Sequence, residues 1–324
     1  MTEGRGRTLI LFYDSPARII GMYKPISYIL HSFLLLVLIG TGSSIAYYLK
    51  TMPDDPPAAT RIATLAPTPT TTPVARLTST PVPSLPATLE PVPDTGWSSL
   101  RPGLEQRVIP IYNDQRQPVA TVHIWRIDQK RFRLDVAYAD RPKSLDAWQK
   151  ETNADLVMNG GYFSIANDKY FPDGLTIVGG KASGRSFVGY GGMLAINPSG
   201  AAELRWLVEK PYNSIERLQA ALQAFPILVK PGGQLGFGQE KETNARARRT
   251  VIAQDKAGRI LFIVIPEAHF TLHGISLYLT ESDLNLDVAL NLDGGGSTGI
   301  LVANPREIIS PNTLLPFVIL VYPR

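Results

Sequence analysis

Val288-Ala289-Leu290-Asn291-Leu292-Asp293-Gly294-Gly295-Gly296-Ser297-Thr298-Gly299-Ile300-Leu301-Val302 reads as an apolar run, a glycine turn and a second apolar run. Short apolar runs rich in β-branched residues and leucine, bounded by glycine, read as strands. Between them the triple glycine has a chemical as well as a structural reading. Without a Cβ to block approach, backbone N–H groups can converge on a bound anion. Asp293 adds a carboxylate at the strand end, and Ser297 and Thr298 add hydroxyls. The same residues equally suit a glycine-rich hairpin tip with a turn aspartate.

Strand signals continue outward from this stretch. Residues 119–128 and 131–138 both alternate, with Gln129-Lys130 between them as a hairpin turn. Further short apolar runs lie at 156–159, 175–178, 193–196, 204–208, 227–230, 250–254, 260–265 and 318–321. Helical spacing is rarer. It places Ile215, Leu218, Leu222 and Phe225 on one face of a helix over 214–225, with Asn213 as its cap. A short helix is predicted at 144–151 and another helix at 271–285. The fold class expected is α+β: a single strand-rich domain over 97–324, around a mixed or largely antiparallel sheet.

What precedes that domain has a different character. Residues 26–49 form a run of 24 without Asp, Glu, Lys or Arg. At the helical rise this spans roughly 36 Å, enough to cross a bilayer. Arg5, Arg7, Arg18 and Lys24 precede it, so the positive-inside rule places segment 1–25 in the cytoplasm and the rest outside. The expectation is a single-pass signal anchor in the plasma membrane, with a cleaved signal peptide as the rival reading. A linker follows over 50–96, with 11 Pro and 11 Thr between positions 51 and 96. Proline fixes φ and removes donors, so this composition favours an extended, disordered tether.

Composition removes several function classes. The chain has 324 residues and no cysteine, which excludes disulfides, thiolate metal sites and a cysteine nucleophile. The net charge is +4, and charges of both signs are dispersed through 97–324, which argues against nucleic acid as a partner. Gly295-Gly296-Ser297-Thr298-Gly299 fits the nucleophile-elbow pattern in form only, because an apolar β-rich run rather than a helix follows it. His269 and His273 share helical spacing but have no metalloprotease glutamate beside them.

Two further clusters end strands in small or charged residues. Met158-Asn159-Gly160-Gly161-Tyr162-Phe163 could supply an amide and close backbone contact to a ligand, or be a plain Asn-Gly turn. Arg246-Ala247-Arg248-Arg249-Thr250 opens a strand, where an arginine fork suits phosphate or carboxylate, or is simply solvated. Strand alternation makes Arg248 and Arg249 face opposite ways.

Taken in order, Asn159-Gly160-Gly161-Tyr162-Phe163, Pro172-Asp173-Gly174-Leu175, Arg249-Thr250 and Asn291 to Thr298 resemble the phosphodiester glycosidase family over 119–324. The resemblance implies a mixed α and β fold and hydrolysis of sugar-1-phosphodiesters; the anchored, Pro/Thr-stalked setting points to cell-envelope glycans or exopolysaccharide as substrate. It implies Asp293, Arg249, Asn159 and Ser297 as catalytic positions. Gly160, Gly161, Gly294, Gly295, Gly296, Thr298, Thr250 and Asp173 would bind substrate or its phosphate. No cofactor is required by the sequence; a divalent cation is compatible with a carboxylate-bearing phosphate site. The alternative reading is a non-catalytic surface module that binds anionic glycans or scaffolds polysaccharide assembly.

Overall fold

The computed structural model describes residues 92–187 and 189–324. The segment expected in the cytoplasm, the expected membrane span and nearly all of the linker lie outside the described residues. Among the described residues no helix is long and apolar enough to cross a membrane. Residues 92–96, assigned to the linker by composition, lie against the domain. Thr95 donates to the Val108 carbonyl at 3.1 Å, and Arg107 binds the Asp94 carboxylate at 3.0 Å.

The domain is strand-rich, and every strand pair is antiparallel. The expected one sheet is three, plus a ribbon. The first has eight strands in the order Ser98–Arg101, Leu104–Tyr112, Pro118–Ile127, Ile260–Ile265, Arg249–Asp255, Leu286–Asn291, Ile227–Lys230 and Gln234–Leu235. The second has five, ordered Glu307–Ile309, Ile300–Val302, Leu156–Asn159, Leu315–Pro323 and Phe132–Lys143. The third has five, ordered Ala202–Trp206, Gly192–Ile196, Ala220–Ala224, Thr176–Val178 and Lys181–Ser183. Phe163–Ala166 and Lys169–Pro172 form the ribbon.

The three sheets face a shared core. Trp125, Ile127 and Phe262 come from the first, Leu134, Val136 and Met158 from the second, and Leu194, Ile196 and Leu222 from the third. Burial on this scale is the main stabilising term, at about 25 cal/mol per Å² of apolar surface removed from water. The outer faces of the first two sheets are covered by the α-helices. Helix α1, Leu145–Thr152, lays Leu145 and Trp148 on Val157, Leu301 and Leu320 of the second sheet, with Ser144 capping its first turn. Helix α2, Leu272–Glu281, lays Ile275 and Leu279 on Leu228, Val251 and Ile263 of the first, capped by Thr271.

Two sequence expectations are corrected here. The alternating segments at 119–128 and 131–138 are strands but not a hairpin. Pro118–Ile127 pairs in the first sheet and Phe132–Lys143 pairs with Leu315–Pro323 in the second. Each alternates because one face enters the shared core, and alternation is the same whether a turn joins partners or passes a corner between sheets. The helix expected at 214–225 is absent. Ala220–Ala224 is the central strand of the third sheet, fully buried between Gly192–Ile196 and Thr176–Val178. A strand covered on both faces loses its period of two, and its Ala-Ala-Leu-Gln-Ala composition favours helix until pairing overrides it. Asn213 caps only a turn, accepting from the Ile215 amide at 3.2 Å, and Ile215 is 82% exposed.

Candidate active site

Strand ends from the three sheets converge on one point. The chain leaves the first sheet at Asn291, runs through the glycine loop and enters the second sheet at Ile300, beside Leu156–Asn159. Antiparallel pairing sets Val251 opposite Asn291, so Arg249 and Thr250 flank the same exit, and the Leu292 amide donates to the Thr250 carbonyl at 2.9 Å. In the link from the third sheet to the first, the Pro226 carbonyl accepts from the Asn291 amide at 3.0 Å.

Asn159 ties these pieces together. Its Nδ2 donates to the Asp293 carbonyl at 2.7 Å, and its Oδ1 accepts from Thr250 Oγ1 at 2.8 Å and from the Gly299 amide at 3.0 Å. The carboxamide is thus aimed at the framework of the loop. Replacing it by alanine strands three buried partners, at a cost of about 3 kcal/mol. We expect Asn159→Ala to lower the melting temperature by roughly 9 °C in a calorimetric scan. An unchanged melting temperature would contradict the clamp.

The glycines divide by role. A Cβ on Gly160 would lie 3.1 Å from Leu222 and Phe317, and one on Gly161 would lie 3.2 Å from the Gln223 carbonyl. Close packing between the second and third sheets therefore requires a small residue at these two positions. A Cβ on Gly294 would meet the Arg248 carbonyl at 2.8 Å, and Gly295 has a φ of +56°. Loop amides expected to converge on an anion are mostly engaged internally. Gly295 donates to the Arg248 carbonyl, Ser297 to Gly294, and Gly294 to the Asp293 carboxylate. Gly296 differs: it is exposed, and a Cβ there would make only an ordinary 3.8 Å contact with Thr313. Gly294→Ala should cost about 2 kcal/mol through overpacking. Gly296→Ala should leave the melting temperature unchanged yet lower kcat/KM at least about tenfold by narrowing access to Asp293. Equal stability losses in both variants would contradict this division.

Charge at the site is unusual. Burial raises the Asp293 carboxyl from its ordinary value to about 6, against hydrogen bonds from Ser297 and the Gly294 amide that favour the ionised form; the Asp173 charge adds to the rise. Asp173 is exposed and accepts from the Ser164 hydroxyl. Arg249 is 8% exposed, and its guanidinium donates only to carbonyls, Phe270 at 3.1 Å and Ala245 at 2.9 Å. Among the described residues no carboxylate forms an ion pair with it, and burial lowers its pKa. Its neighbour Arg248 faces the other way, as alternation predicts, and pins the loop through the Thr298 and Ser310 carbonyls at 3.0 and 2.8 Å.

The Asp293 and Arg249 charges both act on the Tyr162 hydroxyl, in opposite directions. Burial raises its hydroxyl above the ordinary value. That hydroxyl donates to the Phe225 carbonyl at 2.9 Å and accepts from Asn291 Nδ2 at 2.6 Å. Buried polar atoms are nearly always paired, yet Asn291 Oδ1, Thr298 Oγ1 and Arg248 Nε all lack partners around this one loop. Among the described residues no group of three His, Asp or Glu side chains is arranged to hold a metal ion.

The phosphodiester glycosidase family model matches residues 152–322, more than half of the chain. The chain belongs to the phosphodiester glycosidase family. Its fold is similar to that of the zebrafish N-acetylglucosamine-1-phosphodiester alpha-N-acetylglucosaminidase catalytic domain, auto-inhibited by pro-peptide. That likeness has 17% identity and a TM-score of 0.55, over 70% of this chain and 86% of that one. A hypothetical protein from Synechocystis shares the fold at 14% identity and a TM-score of 0.50, over 69% of this chain and 62% of that one. No curated protein matches the chain in sequence.

Against this phosphodiester glycosidase background, sequence reasoning missed Tyr162, Asn291 and Phe225 as parts of the site. Tyr162 and Asn291 were within the quoted motifs. Each sits one or two residues from a named glycine or aspartate, and a buried Asn at a strand end is the signal that could have found Asn291. Phe225 carried no local signal, because its place depends on the third sheet.

Proposed function

We propose that the chain hydrolyses sugar-1-phosphodiesters at the anomeric carbon. The observation that carries this reading is Arg249: a buried guanidinium that, among the described residues, forms no ion pair, at the strand mouth to which the Asp293 loop is hydrogen-bonded through the Arg248 and Thr250 carbonyls. An unpaired buried cation is costly unless an anion completes it, and a phosphodiester does so by charge-assisted hydrogen bonds. A phosphomonoester is a good leaving group, since its second pKa lies near about 6. The greater demand is on the sugar, which develops positive charge as its C1–O bond breaks. Ionised Asp293 faces that charge, with Ser297 and the Gly294 amide holding its orientation. The electron pair of the breaking bond goes to the phosphate oxygen, which Arg249 stabilises. Water adds to C1 and gives its proton to Asp173, whose charge already acts on Asp293. Asn159 and Thr250 position the loop, and Gly296 leaves the approach open.

The setting is part of the same proposal. The uncharged run at 26–49 and the basic residues before it support a plasma-membrane anchor, with the Pro/Thr-rich segment holding the enzyme outside the cell. Cell-envelope or exopolysaccharide glycans are then within reach. The test is incubation of the purified full-length chain with sugar-1-phosphodiesters, scoring free sugar and phosphomonoester. Release by the wild type but not by Asp293→Asn is the expected result. Glycan binding with no turnover would instead make the chain a surface-binding module.

A further inference from the structure

An aromatic cluster runs from Tyr162, beside the end of the Leu286–Asn291 strand, to the surface. The Phe225 ring stacks on Tyr162 at 4.6 Å, and the Tyr162 hydroxyl accepts at 2.6 Å from Asn291, two residues before Asp293. Tyr190 meets Phe225 edge-on at 6.1 Å. Behind both lies Phe187, buried, stacked on Tyr190 at 4.9 Å and edge-on to Phe225 at 5.5 Å. In front, Tyr190 is 48% exposed and Phe225 37% exposed.

This arrangement is held in place from several sides. The Phe187 amide donates to Gln223 Oε1 at 2.7 Å, within the central strand of the third sheet. Gly191 has a φ of +76°, and a Cβ there would lie 2.7 Å from the Ala224 carbonyl, so glycine lets the Tyr190 loop close onto the strand end. The Gly191 carbonyl accepts from the Leu207 amide at 3.1 Å. Two large rings are thus fixed with their surfaces in water, where burial would otherwise favour hiding them.

We propose that Tyr190 and Phe225 form a stacking subsite for a neutral sugar ring beyond the one that bears the phosphodiester. The natural substrate is then an oligosaccharide or polymeric glycan rather than a single glycosyl phosphodiester. This rests on the function proposed above for the substrate's reacting end. An aromatic face carries partial negative charge, and a pyranose face presents polarised C–H groups that complement it. Among the described residues only burial shifts the Tyr190 hydroxyl, in keeping with a subsite for the uncharged part of a ligand whose phosphate is held at Arg249. Two partly exposed rings are too small for a stable protein interface, which needs on the order of 1,000 Å². A ligand-binding patch joined through Tyr162 and Asn291 to the strand that leads into the Asp293 loop is the better match.

The test has two arms, both on the full-length chain. In the first, calorimetry measures binding of the neutral trisaccharides chitotriose and maltotriose, which carry no phosphate. At least one should bind the wild type and Asp293→Asn alike, bind Tyr190→Trp, and be lost in Tyr190→Ala, whose exposed site leaves the fold intact. In the second arm, a monosaccharide-1-phosphate methyl ester and its trisaccharide counterpart are compared as substrates. Tyr190→Ala should raise KM for the trisaccharide about tenfold, the scale of one aromatic stack, with kcat and the monosaccharide KM unchanged. Failure of both trisaccharides to bind the wild type, or equal KM changes for short and long substrates, would overturn the subsite. Turnover with no effect of Tyr190 would retain the glycosidase and remove the subsite. Tyr190-dependent binding without turnover would do the reverse.

Discussion

Asp293→Asn is expected to lose turnover and gain stability together. If the ionised carboxylate stabilises the sugar cation, its amide cannot, and kcat should fall roughly 1,000-fold or more. The same carboxyl is raised to about 6 chiefly by burial. A raised carboxyl means that the folded state holds a proton that the unfolded chain releases near its ordinary value of 3.8. Stability therefore falls as pH rises from about 4 to about 6, and the penalty is fully present above that window. Asparagine has no charge to bury and can still accept from Ser297 and the Gly294 amide. The variant should gain on the order of 2 kcal/mol at neutral pH, roughly 6 °C in melting temperature, and nothing below about pH 4. Wild-type kcat/KM should rise through about pH 6, since the ionised form is the active one. A variant that is both inactive and less stable at neutral pH would contradict the buried-charge account.

Arg249→Met should be the second large effect. Methionine keeps the length of the side chain and its apolar contacts while removing the charge. The two hydrogen bonds to the Phe270 and Ala245 carbonyls are lost, which offsets the relief from burying an unpaired cation. Stability should thus move little while kcat/KM falls roughly 1,000-fold. Arg249→Lys should recover only part of this, because an ammonium cannot present the planar fork. A binding measurement isolates the anion from the chemistry. Glycerol phosphate, the class of product expected, should raise the wild-type melting temperature by roughly 8 °C at about 100 times its Kd and leave Arg249→Met unmoved. An equal rise in both proteins would place the phosphate elsewhere.

The sequence carried the strands and the motif order better than the assembly. The run from Val288 to Val302 is strand, glycine loop and strand as read, since its punctuation is local. The helix starts expected at 144 and 271 agree with helices that begin at Leu145 and Leu272, one residue after each cap. The third sheet was not. Ala220–Ala224 is buried on both faces, so its composition carries no period, and only pairing with Gly192–Ile196 identifies it. The corner at Gln129-Lys130 was read as a hairpin because sheet membership is a long-range property. At the site, Arg248 and Arg249 were separated correctly by alternation alone. The clamp at Asn159 was invisible, because its partners come from two distant segments, Thr250 and the loop from Asp293 to Gly299.

The central claim is cleavage of the bond between the anomeric carbon and oxygen. Hydrolysis of a sugar-1-phosphodiester in ¹⁸O-enriched water, followed by phosphorus NMR, separates the two possible bonds directly. The account predicts that the released phosphomonoester carries no ¹⁸O, because water attacks the sugar and the bridging oxygen leaves with phosphorus. Incorporation of ¹⁸O into the phosphomonoester, with sugar released bearing its original oxygen, would place attack at phosphorus and contradict it.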